Sequence, residues 1–308
     1  MKATFSRRSL LIAALARAAA QEVTFSTSVD LVTLLATVRN RGGGIVNDLN
    51  RDDFVLEEDG RPQTIRYFSR ESNLPLTLGL LVDTSRSQLE VLEPERKASY
   101  VFLDRVLRND DQAFVVSFDI GVHMLQGLTN SRELLSAAMD QLQIPGRVAT
   151  VLYDAIQLTS DNLMREQKGR KAFILLSDGV DVGSKTTLGT ATEYAQRADT
   201  LIYSIWFHGK WKLWWVAGGP AAIQGHAMYR AKGKSAMQRL AGETGGRFFE
   251  VTKDQPIENI YSQIEEELRN QYSFGYMSDR QDKQYRKIKL ATKRPGLVVQ
   301  TRAGYYPR

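Results

Sequence analysis

Residues 76–87, LTLGLLVDTSRS, constrain the fold more than any other stretch, because an apolar run ends there abruptly in an aspartate and alternating hydroxyls. Eight residues that are apolar on both alternating faces form a strand covered on both sides, as the central parallel strand of a helix-flanked sheet is. In such sheets ligands bind beyond the carboxyl ends of the strands, so the polar end of this run is a candidate site. Asp83, Ser85 and Ser87 stand there in D-x-S-x-S spacing. Hard oxygens at i, i+2 and i+4 suit a small divalent cation better than a proton-transfer device. Taken alone, the same residues also describe a capping aspartate at a strand-to-helix turn followed by two loop serines.

Downstream the pattern alternates between helix and strand. Helical spacing covers 93–107, 134–142 (with Asn130 and Glu133 as a capping pair), 151–164, 190–198 and 235–244, and a helix starts at Pro256. Apolar strands fall at 113–118, 171–176 and 201–207, the second ending in Ser177-Asp178-Gly179. Strands that alternate with helices of this length pair in parallel through right-handed crossovers. Glu265, Glu266 and Glu267 are expected on a solvated helix face.

The flanks read differently. Residues 22–70 hold short β segments at Val23, Phe25, 31–38, 54–57 and 64–68, with a hairpin signal at Asp59-Gly60. About fifty residues cannot close a core alone. Three more β segments, at 272–277, 287–292 and 297–302 with a turn at Pro295-Gly296, are expected to complete them as one β-sandwich around an inserted α/β domain.

Asp83, Ser85 and Ser87 after one apolar strand, Thr150 in ATVLYDA, and Asp178 in SDG after another together resemble the von Willebrand factor A domain, over roughly residues 75–270. The flanks, with Asp52-Asp53-Phe54, Glu58-Asp59-Gly60 and the ending Arg302-Ala303-Gly304-Tyr305-Tyr306, are similar to a bacterial exported subgroup described as VWFA-related. The resemblance implies a doubly wound, mostly parallel α/β sheet of Rossmann-like form. It also implies a metal-ion-dependent adhesion site in which Ser85, Ser87 and Thr150 offer hydroxyls to Mg²⁺ (or Mn²⁺ or Ca²⁺), while Asp83 and Asp178 hold its waters or coordinate it. Neutral hydroxyls leave Mg²⁺ electron-poor, and a Glu or Asp of a partner protein would complete its octahedron. The expected organisation is a signal peptide at 1–20, half a sandwich at 21–74, the A-type domain at 75–270 and the closing strands at 271–308.

All four tryptophans lie within ten residues, Trp206, Trp211, Trp214 and Trp215, at the start of an expected loop over 208–234 that also carries Lys210, Lys212, Arg230, Lys232 and Lys234. Exposed, this cluster suits a protein partner or a membrane surface; folded back, it covers the sheet edge. Gly121, Thr150 and this loop are expected to shape the rim of the site. Stacking on single-stranded nucleic acid is chemically open to aromatics and cations but sits poorly with export.

An enzyme finds little support. The three histidines, His123, His208 and His226, lack H-E-x-x-H spacing, and no G-x-S-x-G elbow or strand-borne G-x-G-x-x-G occurs. Gly233-Lys234-Ser235 imitates the end of a phosphate loop, but Met228 stands where that loop needs glycine, so a helix start with a solvated lysine is expected. The expectation is a non-enzymatic, exported protein-binding module. The alternatives are a metal-dependent hydrolase, since a water-bearing ion beside carboxylates can cleave esters, and an envelope component that carries no metal.

Lys2, Arg7 and Arg8 ahead of a weakly apolar segment, then Ala18-Ala19-Ala20, form a secretory signal too short to span a bilayer. Ser6-Arg7-Arg8-Ser9-Leu10-Leu11 fits the twin-arginine route as well as the general one, and the destination is periplasmic or secreted. Four of the six net positive charges are Lys2, Arg7, Arg8 and Arg17, so about +2 remains and the basic balance does not argue for nucleic acid. With no cysteine, the exported chain stands on its packed core without disulfides or thiolate metal sites.

Overall fold

The computed structural model describes residues 31–70, 74–145, 149–207 and 219–307. The expected signal peptide, Val23 and Phe25 lie outside the described residues.

The apolar run is strand β5 (Leu76–Asp83), buried at every position. It lies between β6 (Gln112–Phe118) and β8 (Arg170–Ser177), parallel to both, with β9 (Leu201–Trp206) and β10 (Phe248–Glu250) continuing in parallel beyond β8. Alternation along β5 divides the core. Leu78, Leu80 and Val82 pack with α1 (Leu92–Val106), α2 (Arg132–Asp140) and α6 (Ile257–Arg269). Leu81 faces α3 (Leu152–Thr159), α4 (Leu188–Arg197) and α5 (Gly219–Thr244). Each fully buried leucine of this kind contributes about 1.5–3 kcal/mol. Gly79 is required on the second face, since a Cβ there would sit 2.4 Å from the Phe114 ring and 2.7 Å from that of Phe173. The doubly wound, mostly parallel sheet expected from the sequence is therefore present.

The sheet has a sixth strand that the pattern did not reveal. Residues Val122–Thr129 form β7, antiparallel to β6 at the edge. None of its residues is buried, so it lacks the apolar signature of the central strands.

The flanking segments build two four-stranded sheets. One has the order β13 (Leu297–Gln300), β1 (Leu31–Asn40), β11 (Tyr272–Met277), β4 (Tyr67–Ser69); the other β14 (Gly304–Tyr305), β12 (Arg286–Thr292), β2 (Phe54–Glu58), β3 (Arg61–Gln63). Both contribute to one core, which joins Leu34, Val38 and Tyr276 of the first to Leu56, Leu290 and Tyr305 of the second. The α/β sheet is thus inserted between strands that, among the described residues, pair only with each other. The Asp59-Gly60 signal forms the two-residue β2–β3 hairpin, with φ of 47° and 78° as a type I′ turn demands.

Four local expectations are corrected. The segment 64–68 is not one strand: β3 pairs with β2, β4 pairs with β11, and the chain crosses between sheets from one to the other. The cap of α2 is Ser131 rather than Asn130, because Ser131 has the extended backbone and its Oγ accepts from Leu134 N at 3.2 Å. Residues 219–234 are no loop, being the first half of α5. Glu267 is 1% exposed and pairs with Arg39 and Arg247, so only Glu265 and Glu266 of that trio reach solvent. No described helix is long and apolar enough to cross a membrane.

Candidate metal site

The carboxyl ends of β5 and β8, adjacent strands, bring Asp83 beside the Ser177–Gly179 turn. Asp83 closes β5 with 0% exposure; its Oδ1 accepts from Ser85 N at 2.9 Å and its Oδ2 from Ser177 Oγ at 2.6 Å. The first bond is an Asx turn that folds the chain back and sets Ser85 Oγ 2.9 Å from Ser87 Oγ. Asp178, half-buried, receives Val180 N on its Oδ1 at 3.0 Å, while Ser177 Oγ receives Gly179 N at 2.9 Å.

Electrostatics follow from crowding carboxylates in a dry place. Burial above all, then the Asp178 carboxylate, pushes Asp83 up to about 7, against the pull of the hydrogen bonds from Ser177 and Ser85. Such a pair favours any arriving cation.

Thr150 reaches the same edge by backbone ties. Its N–H donates to Val182 O at 3.2 Å and its carbonyl accepts from Val182 N at 2.9 Å, while Val151 N donates to Asp119 O, at the end of β6, at 2.8 Å. The threonine, 7% exposed, is thereby strung between the turns that follow β6 and β8. Gly121, expected at the rim, donates its N–H to Asp119 Oδ1 at 3.1 Å. The structure thus draws Asp83, Ser85 and Ser87 into one hydrogen-bonded turn, sets Asp178 within electrostatic reach of it, and holds Thr150 through the main chain. Trp211, Trp214 and Trp215 lie outside the described residues.

The donor set fits a hard dication. Metal–oxygen distances of 2.0–2.1 Å place adjacent corners of a Mg²⁺ octahedron about 2.9 Å apart, which is the Ser85–Ser87 oxygen separation of 2.9 Å. Among the described residues no three acidic or histidine side chains gather closely enough to hold an ion on their own. Any ion held here would have to take hydroxyls and water into its coordination.

Several contributors escaped the sequence reading. Trp206 is 1% exposed and donates Nε1–H to the main-chain oxygen of Asp178 at 2.8 Å, so this tryptophan is an internal brace rather than part of an exposed cluster. Gly179, at φ 77°, and Gly233 of α5 pack backbone to backbone: a Cβ on Gly233 would lie 2.4 Å from Asp178 O. Gly233-Lys234-Ser235 is neither a phosphate loop nor a helix start. Its glycine lets α5 press on the Asp178 turn, and Lys234, partly exposed as expected, also pairs with Glu250 and sets its Nζ 5.0 Å above the Trp206 ring.

No family model matches the chain, and no curated protein matches it. Among solved structures it is similar to a von Willebrand factor type A structure from Catenulispora acidiphila, at 12% identity and TM-score 0.50 over 80% of this chain and 71% of that one. Two others overlap less closely. The vWF domain of the type V pili tip protein Mfa5 from Porphyromonas gingivalis gives 12% identity and TM-score 0.46 over 63% of this chain and 95% of that one. Proximal thread matrix protein 1 from the mussel byssus, with a zinc-occupied MIDAS motif, gives 12% and 0.47 over 64% and 48%. The helix-flanked sheet has the von Willebrand factor A fold.

Proposed function

We propose that this chain is an exported protein-binding module that captures an acidic side chain of its partner through a divalent cation, Mg²⁺ by preference, held by Ser85, Ser87 and Thr150 with Asp83 and Asp178. The observation that carries the reading is the 2.9 Å spacing of the two serine oxygens beside two crowded carboxylates. Bound there, the ion would supply Lewis acidity toward a carboxylate. The chain's own part is to orient the hydroxyls through the Asx turn, to keep the pocket dry and to brace Asp178 from behind. The export signal and the tryptophans at 211, 214 and 215, as added partner contacts on the rim, belong to the same reading.

Calorimetry tests it in two stages, with Mg²⁺ alone and then with a short peptide carrying a central glutamate. Mg²⁺ should bind the native chain and not Asp83→Ala, and peptide binding should vanish with chelator. Chelator-insensitive peptide binding, or Mg²⁺ affinity untouched in Asp83→Ala, would refute the metal role. Mg²⁺-dependent turnover of phosphate or ester substrates, lost in Asp178→Ala, would point to a hydrolase instead.

A further inference from the structure

Behind the candidate site, on the first turn of α1, Glu95 is 1% exposed, and among the described residues neither of its carboxylate oxygens receives a hydrogen bond. Nothing in the DxSxS pattern calls for it. A buried carboxylate without a partner costs several kcal/mol, so folded chains pair such groups or neutralise them. Ser99, one turn further along α1, pairs with the Tyr261 hydroxyl at 2.5 Å and makes no bond to Glu95. The two charges that act on Glu95 are those of Asp83 and Asp178; burial first and then these two carboxylates push it well above the ordinary carboxylate range. Gln88, in the turn just after Ser87, repeats the pattern. It is 1% exposed and donates Nε2–H to Ser87 Oγ at 3.0 Å, while its Oε1 also lacks a protein donor. The main chain ties the two together, since Glu95 N donates to Val91 O and Val91 N to Gln88 O, both at 3.0 Å. Gln88, bonded to Ser87, and Glu95, within electrostatic range of Asp83 and Asp178, thus leave three buried acceptor oxygens without a donor among the described residues, a surplus that a cation with its water shell satisfies.

We propose that Glu95 is a further carboxylate of this cation site, acting from the outer coordination sphere through a water on the ion, and that it sets the affinity for the cation. The inference rests on the proposed metal reading. It places Glu95 outside the inner shell, in keeping with the lack of three convergent acidic or histidine ligands among the described residues. Outer-shell carboxylates orient bound water and add negative potential, and their loss typically weakens metal binding about 10- to 100-fold. Glu95 is a positioning residue in this scheme, and Gln88 holds Ser87 in place beside it.

The test is Mg²⁺ calorimetry on the full chain and on Glu95→Gln, with thermal unfolding of both in chelator. The isosteric amide should bind Mg²⁺ about 10- to 100-fold more weakly, while its metal-free melting temperature stays level or rises, since the cost of keeping a buried, raised acid in its neutral form has been removed. A packing role alone would move the melting temperature and leave affinity unchanged. Glu95→Asp, which keeps the charge, should recover part of the affinity and serves if the amide does not fold. Equal Mg²⁺ affinity in the native chain and Glu95→Gln overturns the role of Glu95 alone, provided that Asp83→Ala abolishes binding. Absence of Mg²⁺ binding by the native chain overturns this inference and the metal reading together.

Discussion

Glu58, in the β-sandwich, and Glu95, beneath the candidate site, are each 1% exposed, yet their surroundings are opposite. Around Glu58 the Tyr276 and Tyr305 hydroxyls donate to Oε2, the latter at 3.0 Å, Ser278 Oγ donates to Oε1 at 2.6 Å, and the Arg286 guanidinium lies 3.6 Å away. Every donor comes from a C-terminal strand or its adjoining turn, so this one carboxylate ties β2 to the other end of the chain. Around Glu95 the described residues offer no donor and no cation, only two further carboxylates within electrostatic range. A buried charge that the fold satisfies internally is structural, whereas one left unsatisfied marks a place where something from outside is wanted.

The contrast can be broken at several points. Glu58→Ala should give the largest effect, a loss of about 3–5 kcal/mol in urea unfolding, because it removes the buried carboxylate beside the 3%-exposed Arg286 together with the acceptors of Tyr276, Tyr305 and Ser278. A loss below about 1 kcal/mol would mean that the sandwich network is not what joins the chain ends. Gly233→Ala comes next. Its Cβ must displace the Asp178 main chain, so stability should fall by about 1–3 kcal/mol and Mg²⁺ affinity with it. A stability loss with unchanged affinity would separate α5 from the site.

A further probe is pH. Asp83 in the folded chain titrates near 7, against an ordinary value of 3.8 that applies when unfolded. Between these values the folded state holds the extra proton, so the contribution of Asp83 to stability is fully present below about 4 and is lost as pH rises through 7. Without metal, the native chain should therefore weaken relative to Asp83→Asn over this window, by at most about 1.4 kcal/mol per pH unit. Saturating Mg²⁺ should reverse the trend at neutral pH by binding only the folded form. Parallel stability curves for the two proteins would show that Asp83 is not crowded as described.

Legibility varied with how directly a residue's burial is written in its neighbours. Strands β5 and β8 are covered on both faces and so appear as uninterrupted apolar runs, and the hydroxyl-aspartate tails that follow them fall where the topology puts ligand sites. The pairing of the first strands with the last was legible too, because neither set could close a core alone. Edge strand β7 was missed because its half-exposed residues carry no period that distinguishes them. The first half of α5 was taken for a loop because glycines and scattered cations obscure its helical spacing.

The amino-acid sequence by itself determined the α/β architecture, the insertion within a sandwich and the order Asp83, Ser85, Ser87, Thr150, Asp178 along the chain. These depend on local periodicity and turn chemistry, which neighbouring residues encode. Only the tertiary structure decided that Glu267 finds arginines, that Trp206 braces Asp178 and that Glu95 finds no partner among the described residues. A glutamate on a helix looks the same in sequence whether it meets solvent, a guanidinium or two other carboxylates; its charge acquires meaning only from residues that folding brings from elsewhere.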